Sequence, residues 1–430
     1  MRWRCFATML ILLLAAPPAL AESAKRLTLP NGLRTILKSN WSTEVVSIEL
    51  LLDISASDEP PGRNGLRYLV QRLLLRGAKG ESGESMARRL AAVGGVVDSS
   101  VGLDYVEVYA LVPAEGFEVA LGIVAGVALN PAFPAAEVTR QKIDAGDLAR
   151  AARDEPFQET YLAFREALYG SHPYGLPTLG TPPSLSGITR GEVVDFHAEH
   201  YVADRAVLAI CGGVGEARAM RAVREAFGAW PRGRPKAAPE QEVEPLTISE
   251  VVARERPLRR AHLILGCPAP AVGEPAYYAM QVVDSLIGGG ATARLPRRLR
   301  DELGLVYHSS SFYPTLAGPS HLGIYAVTEP FRVETVKAAL VGLLADLCRQ
   351  PVSDEELARA KRYLLGSYAL SHQRMKDQAY ALAWYEILGL GLEFERIYAE
   401  SIQSVTASEV QDTARSFLGR FVLAVTMPTS

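Results

Sequence analysis

The sequence predicts an α+β protein made of two duplicated domains, each a mixed β-sheet with helices packed mainly on one face. Three observations predict it. The chain has 430 residues, more than one hydrophobic core ordinarily serves, so at least two domains are expected. An internal repeat is present: Ser184, Thr189, Glu192, Val193 and Asp195 recur as Ser401, Thr406, Glu409, Val410 and Asp412 at a constant offset of 217 positions. Finally, apolar strand-like runs and amphipathic helical runs follow one another in an order that suits sheets covered by helices.

Both copies of the repeat precede a helix and then a strand, at residues 206–211 and 421–426. A Pro-, Arg- and Glu-rich stretch between them reads as a linker. The expected organisation is a signal peptide at 1–21, a first domain at 22–232, a linker at 233–246 and a second domain at 247–430.

The opening segment has a basic start (Arg2, Arg4), a short apolar core at 9–16 and a small-x-small site at Ala19-Leu20-Ala21. Cleavage after Ala21 is expected, and no run is long enough to span a bilayer. The expected product is an exported chain in a bacterial periplasm. Removing this segment takes Cys5 and leaves Cys211, Cys267 and Cys348, scattered thiols and not a disulfide framework. A net charge of −3 with 22% charged residues gives no case for nucleic acid.

In the first half, residues 26–29 and 34–38 flank Asn31-Gly32, a hairpin signal. A buried strand follows at 45–54. After a Pro/Gly-rich turn, Leu66, Leu69, Val70 and Leu73 recur at i, i+3, i+4 and i+7, one buried helix face. A second helix is expected at 85–93, strands at 96–100 and 105–111, and helices at 117–128, 135–152 and 159–169. The second half repeats the theme, with a strand at 261–266, a helix at 276–287 and a long helical region at 354–388 capped by Ser353.

Several linked landmarks then point to a family. His172-Pro173-Tyr174-Gly175, Gly180, and Phe196-His197 through Tyr201 stand in the first half. Ala293-Arg294-Leu295, Leu299-Arg300 and Gly304-Leu305-Val306-Tyr307 stand in the second. Their order and spacing resemble the insulinase/pitrilysin zinc peptidases over essentially the whole mature chain. The resemblance implies that the helix at residues 66–74 is the one on which active members carry H-x-x-E-H. There, two histidines bind zinc and the glutamate activates a water.

Two departures and retentions follow. At the five motif positions this chain reads Tyr68-Leu69-Val70-Gln71-Arg72, with neither histidine and an amide for the glutamate. Where active members place a third, glutamate ligand, it reads Asp147-Leu148-Ala149. Tyr68 and Gln71 are poor zinc ligands, and Arg72 puts a permanent cation where the metal would sit. No metal is therefore expected in this chain. Arg300 and Tyr307, by contrast, keep the family's spacing. In active relatives such a pair reaches across to a zinc site, where arginine can hold peptide carbonyls and a tyrosine hydroxyl can donate to a developing oxyanion. A helix beginning near Pro296 would carry Arg300 in its last turns, and Gly304 would end it and return the chain as a strand bearing Tyr307.

Other features carry less. His197 and His200 lack the i, i+4 spacing of helical ligand pairs, and His197 matches a framework position. Gly288-Gly289-Gly290 is not a phosphate loop, since no Lys-Ser/Thr follows. Arg297, Arg298 and Arg300 form a basic cluster that could meet peptide carboxylates.

The resemblance implies the zinc-lacking subunit of a heterodimeric metalloendopeptidase. Arg300 and Tyr307 would serve a homologous H-x-x-E-H-bearing partner that holds the zinc, with unfolded peptides as substrate. The alternative is a non-enzymatic peptide-binding or scaffold protein of the same fold; a peptidase with a relocated metal site is a third reading.

Overall fold

The Asn31-Gly32 hairpin opens the fold. Strands β1 (Lys25–Thr28) and β2 (Arg34–Ser39) pair antiparallel, and Gly32 takes φ +92°, a left-handed conformation that costs glycine little. The computed structural model describes residues 23–233, 243–244 and 246–429. The expected signal peptide and most of the expected linker lie outside the described residues.

The first sheet adds β3 (Val45–Leu52), β4 (Val96–Val101), β5 (Val106–Pro113) and β6 (Ala206–Gly212), in the order β1-β2-β6-β3-β5-β4. The second half contributes β7 (Glu250–Arg256), β8 (Ala261–Ala269), β9 (His308–Phe312), β10 (Ser320–Thr328) and β11 (Val422–Pro428). Its order is β7-β11-β8-β10-β9. The two orders are the same once the extra β1 is set aside. In each sheet the strand that follows the repeat segment enters between a parallel neighbour (β2 or β7) and an antiparallel one (β3 or β8).

The helices of the first half are α1 (Leu66–Leu74), α2 (Gly83–Ala92), α3 (Phe117–Leu129), α4 (Ala135–Asp154), α5 (Pro156–Tyr169), α6 (Pro182–Gly187), α7 (Arg190–His200) and α8 (Glu216–Phe227). Those of the second are α9 (Tyr277–Gly288), α10 (Val333–Arg349), α11 (Asp354–Ser371), α12 (Met375–Ile387), α13 (Phe394–Ser404) and α14 (Ala407–Phe417). The repeat now has a local cause. Thr189 and Thr406 are both N-caps whose hydroxyls accept from the backbone N–H three residues on, while Glu192 and Glu409 return a carboxylate to the cap. A capping box fixes where each helix starts, and therefore where the following strand enters its sheet.

The sequence reading merged two helices into one and did not anticipate β7. The helical region at 354–388 is two helices: α11 ends at Ser371 with His372 as its C-cap, and Arg374 takes an extended conformation (φ −81°, ψ 147°) before α12 begins. Strand β7 carries no clear apolar alternation, since it is an edge strand whose side chains are largely exposed or half-buried.

The helices exchange between the halves. α5 leaves the first half and lies on the second sheet, against β7, β8 and β11. Thr160 meets Thr426 there at 2.7 Å, and the buried Glu159 ion-pairs with Arg254 at 3.1 Å and with Arg256. Phe164 packs so closely on β8 that a Cβ at Gly266 would fall 2.4 Å from its ring. α12 does the reciprocal: it covers β3 and β6 of the first sheet, and Glu386 pairs with Arg26 on β1 at 3.1 Å. Each sheet thus has its own helices on one face and one borrowed helix on the other.

Candidate functional site: the degenerate motif helix and an exposed Arg–Tyr pair

α1 is set by its first turn. Gly65 has φ +98°, and a Cβ there would lie 2.8 Å from Gly180 Cα, so the landmark Gly180 provides the room in which α1 begins. Glu59 accepts from the backbone N–H groups of Gly65 at 3.0 Å and Arg67 at 2.9 Å, placing a carboxylate on the positive end of the helix. Burial pushes the Glu59 carboxyl up, and the Arg67 guanidinium opposes that. Arg67 is itself buried and donates to the carbonyls of Ile54 and Gly102 at 2.9 and 3.1 Å.

The motif positions follow from this placement. Gln71 is fully buried and both ends of its amide are engaged. Its Nε2 donates to the Glu107 carbonyl, and its Oε1 accepts from the Tyr201 hydroxyl at 2.6 Å. Tyr68 is half-buried, and burial raises its phenol, with Arg72 opposing. Arg72 faces Asp98 on β4 at 3.7 Å. On α4, Asp147 is exposed and pairs with Arg150.

These residues do not fit zinc. The metal wants several N, S or carboxylate donors within about 2.3 Å. Here the central amide is spent on Tyr201 and Glu107, and a guanidinium stands at the second histidine position. Among the described residues, no group of three or more His, Cys, Asp or Glu side chains could hold a metal ion.

The Arg–Tyr pair lies elsewhere. Residues Pro296–Glu302 form a π-helical turn, with the Leu303 N–H bonded to the Arg298 carbonyl at 3.2 Å. Arg300 points to solvent and pairs with Asp301 at 2.8 Å. Gly304 then takes φ +57° and the chain returns, with the Tyr307 N–H on the Val327 carbonyl at 2.9 Å, one residue before β9. The Tyr307 side chain is 54% exposed. Its hydroxyl donates to Glu329 at 2.6 Å and the Arg260 guanidinium covers its ring at 3.6 Å. Leu303 and Phe331 are exposed beside it, Phe331 at 79%, and Arg332 donates to the Gly304 carbonyl at 2.6 Å to hold the loop. The pair's partners are all in the second half, and none is a residue of α1.

His197 is a framework residue: Nε2 meets the Ala128 carbonyl at 2.9 Å, the ring stacks on Tyr201, and burial lowers its pKa to about 4. Sequence reading placed Tyr201 as a landmark only. Its role as the hydroxyl that holds Gln71 depends on α7 crossing α1, which no local pattern announces.

Two family models match the chain, Insulinase (Peptidase family M16) over residues 34–182 and Peptidase M16 inactive domain over residues 187–364. The chain belongs to the insulinase family. An uncharacterized zinc protease of Mycobacterium tuberculosis is 28% identical over 408 residues, covering 94% of this chain and 93% of that protein. One from Bacillus subtilis is 26% identical over 407 residues, covering 94% and 98%. Among solved structures, a peptidase M16 inactive domain from Pseudomonas fluorescens aligns with TM-score 0.88 at 22% identity, covering 95% of this chain and 98% of that one. A protease from Helicobacter pylori aligns with TM-score 0.89 at 18% identity, covering 94% and 99%. These two share the insulinase-family fold with this chain.

Proposed function

We propose that this chain is the zinc-free subunit of a two-chain insulinase-family metalloendopeptidase, exported to the periplasm and acting on unfolded peptides. It presents Arg300 and Tyr307 to the zinc site of a homologous partner that carries H-x-x-E-H. The observation that carries this reading is a contrast within one molecule. The motif helix is closed to metal by Gln71 and Arg72, while Arg300 and Tyr307 stand in solvent on a shaped turn. A π-turn is an uncommon backbone form that recurs at functional sites. The exposed Leu303 and Phe331 beside the pair supply apolar surface for a second chain to cover. β4 is the edge of its sheet and offers the backbone groups to which an extended peptide can add.

A second reading, a non-enzymatic peptide-binding or scaffold protein, is favoured by one observation: Arg300 and Tyr307 already bond Asp301 and Glu329 of their own surface. Purification of the chain from its native host separates the two. Recovery with an H-x-x-E-H homologue, and hydrolysis of unfolded peptides by the complex but by neither chain alone, supports the peptidase subunit. Recovery without such a homologue, and no hydrolysis, supports the scaffold.

A further inference from the structure

α4, α5 and the segment 177–180 line a cavity of about 140 Å³ that opens to solvent and includes neither Arg300 nor Tyr307 in its lining. Ala149, Ala152, Leu162 and Leu179 give it apolar walls. Two guanidiniums line it, the exposed Arg153 and the buried Arg165, and no carboxylate does. Arg165 is 8% exposed. It donates to the carbonyls of Tyr174, at 2.7 Å through Nε, and of Leu176, at 2.9 Å. Those carbonyls satisfy hydrogen bonds without neutralising charge. The adjacent Glu166 pairs instead with Arg254, and among the described residues no carboxylate forms an ion pair with Arg165. Burial lowers the guanidinium's pKa, with Tyr161, Tyr169 and Glu166 opposing through space, yet arginine stays protonated, so its positive charge sits in a low-dielectric wall without a paired carboxylate.

We propose that this cavity binds a carboxylate carried on a compact apolar group, with Arg165 as the buried counter-charge and Arg153 drawing the anion to the mouth. A guanidinium matches a carboxylate by geometry as well as by charge. The volume sets the tail: cavities of about 150 Å³ hold a benzene ring. The C-terminal residue of a peptide and a free aromatic or branched acid share this chemistry. The site goes beyond the subunit role proposed above and does not depend on a partner chain.

The test is calorimetric titration of the mature chain with benzoate and with benzamide, its neutral counterpart. Benzoate is expected to bind at least about tenfold more tightly than benzamide. Ala152→Phe, which fills the cavity from a half-exposed position, is expected to abolish binding with the fold unchanged by circular dichroism. Arg165→Met should abolish it too; if that variant misfolds because its carbonyl contacts are lost, Ala152→Phe decides. Gly-Gly-Phe with a free and with an amidated terminus identifies the source. Binding of the free form alone assigns a peptide C-terminus, and binding of benzoate without either peptide assigns a small free acid. Equal affinity for benzoate and benzamide, no benzoate binding at about 10 mM, or unchanged binding in Ala152→Phe overturns the proposal.

Discussion

The Tyr201 hydroxyl donates to Gln71 Oε1 at 2.6 Å, joining α7 to the helix where active insulinase-family members hold zinc. The bond is buried, so losing half of it leaves a polar atom without water. Tyr201→Phe is expected to cost about 1–3 kcal/mol, read from urea midpoints. Gln71→Glu restores the family residue but sets a carboxylate against the Glu107 carbonyl. It should destabilise by roughly 2–4 kcal/mol at pH 7 and by less at pH 5, because the protonated acid can donate as the amide does. The wild-type chain alone is expected to hold no stoichiometric zinc by elemental analysis and to leave peptides uncleaved. About one chelatable zinc per chain would contradict this.

The exposed pair gives the functional prediction. Tyr307→Phe removes one hydroxyl and keeps the ring under Arg260. If that hydroxyl serves a partner's oxyanion, kcat of the reconstituted complex falls on the order of 100-fold with subunit affinity and partner zinc unchanged. Arg300→Ala should lower turnover as well. Unchanged turnover in both variants hands the case to the scaffold reading.

Acid should weaken the contact between the halves. His321 on β10 lies between two tyrosines of α5, with Nε2 2.9 Å from Tyr161 and Nδ1 2.8 Å from Tyr169. Tyr169 donates to the Pro319 carbonyl at 3.0 Å, which makes Nδ1 the protonated nitrogen and Nε2 the acceptor. Burial lowers the His321 pKa from 6.5 to about 3. The unfolded chain therefore binds the extra proton first. The stability from neutral His321 is fully present above pH 6.5 and is lost as pH falls toward 3. His321→Gln, less stable at pH 7, should lose about 3 kcal/mol less than wild type between pH 7 and 4, as compared by urea unfolding.

Helix exchange predicts that neither half folds well alone. Chains covering 22–232 and 247–430 each lack the borrowed helix that covers one sheet face. Produced separately they should aggregate or bind hydrophobic dyes; produced together they should co-elute. Phe164→Ala, at the centre of the α5 contact, should cost about 3–5 kcal/mol in the whole chain. Stable monomeric halves would refute the interdependence.

The sequence by itself determined the fold class and the duplication, because these rest on local signals; the motif positions came from the family resemblance. Asn31-Gly32 needs only its own turn, Thr189 and Thr406 cap with residues three positions away, and α1 shows its buried face through Leu66, Leu69, Val70 and Leu73. Arg300 and Tyr307 were singled out only because the family landmarks around them drew attention to the pair; their seven-residue spacing around Gly304 did not do so alone. Tertiary structure alone decided what depends on distant segments meeting. Nothing within α5 or α12 says which sheet it covers, since an apolar helix face fits either. Gln71 reads as a missing ligand until Tyr201, 130 residues on, closes its amide. Arg165 is left without an ion-paired carboxylate only because folding buries it beside carbonyls and turns Glu166 toward Arg254. A sequence lists charges; burial determines which of them water no longer screens.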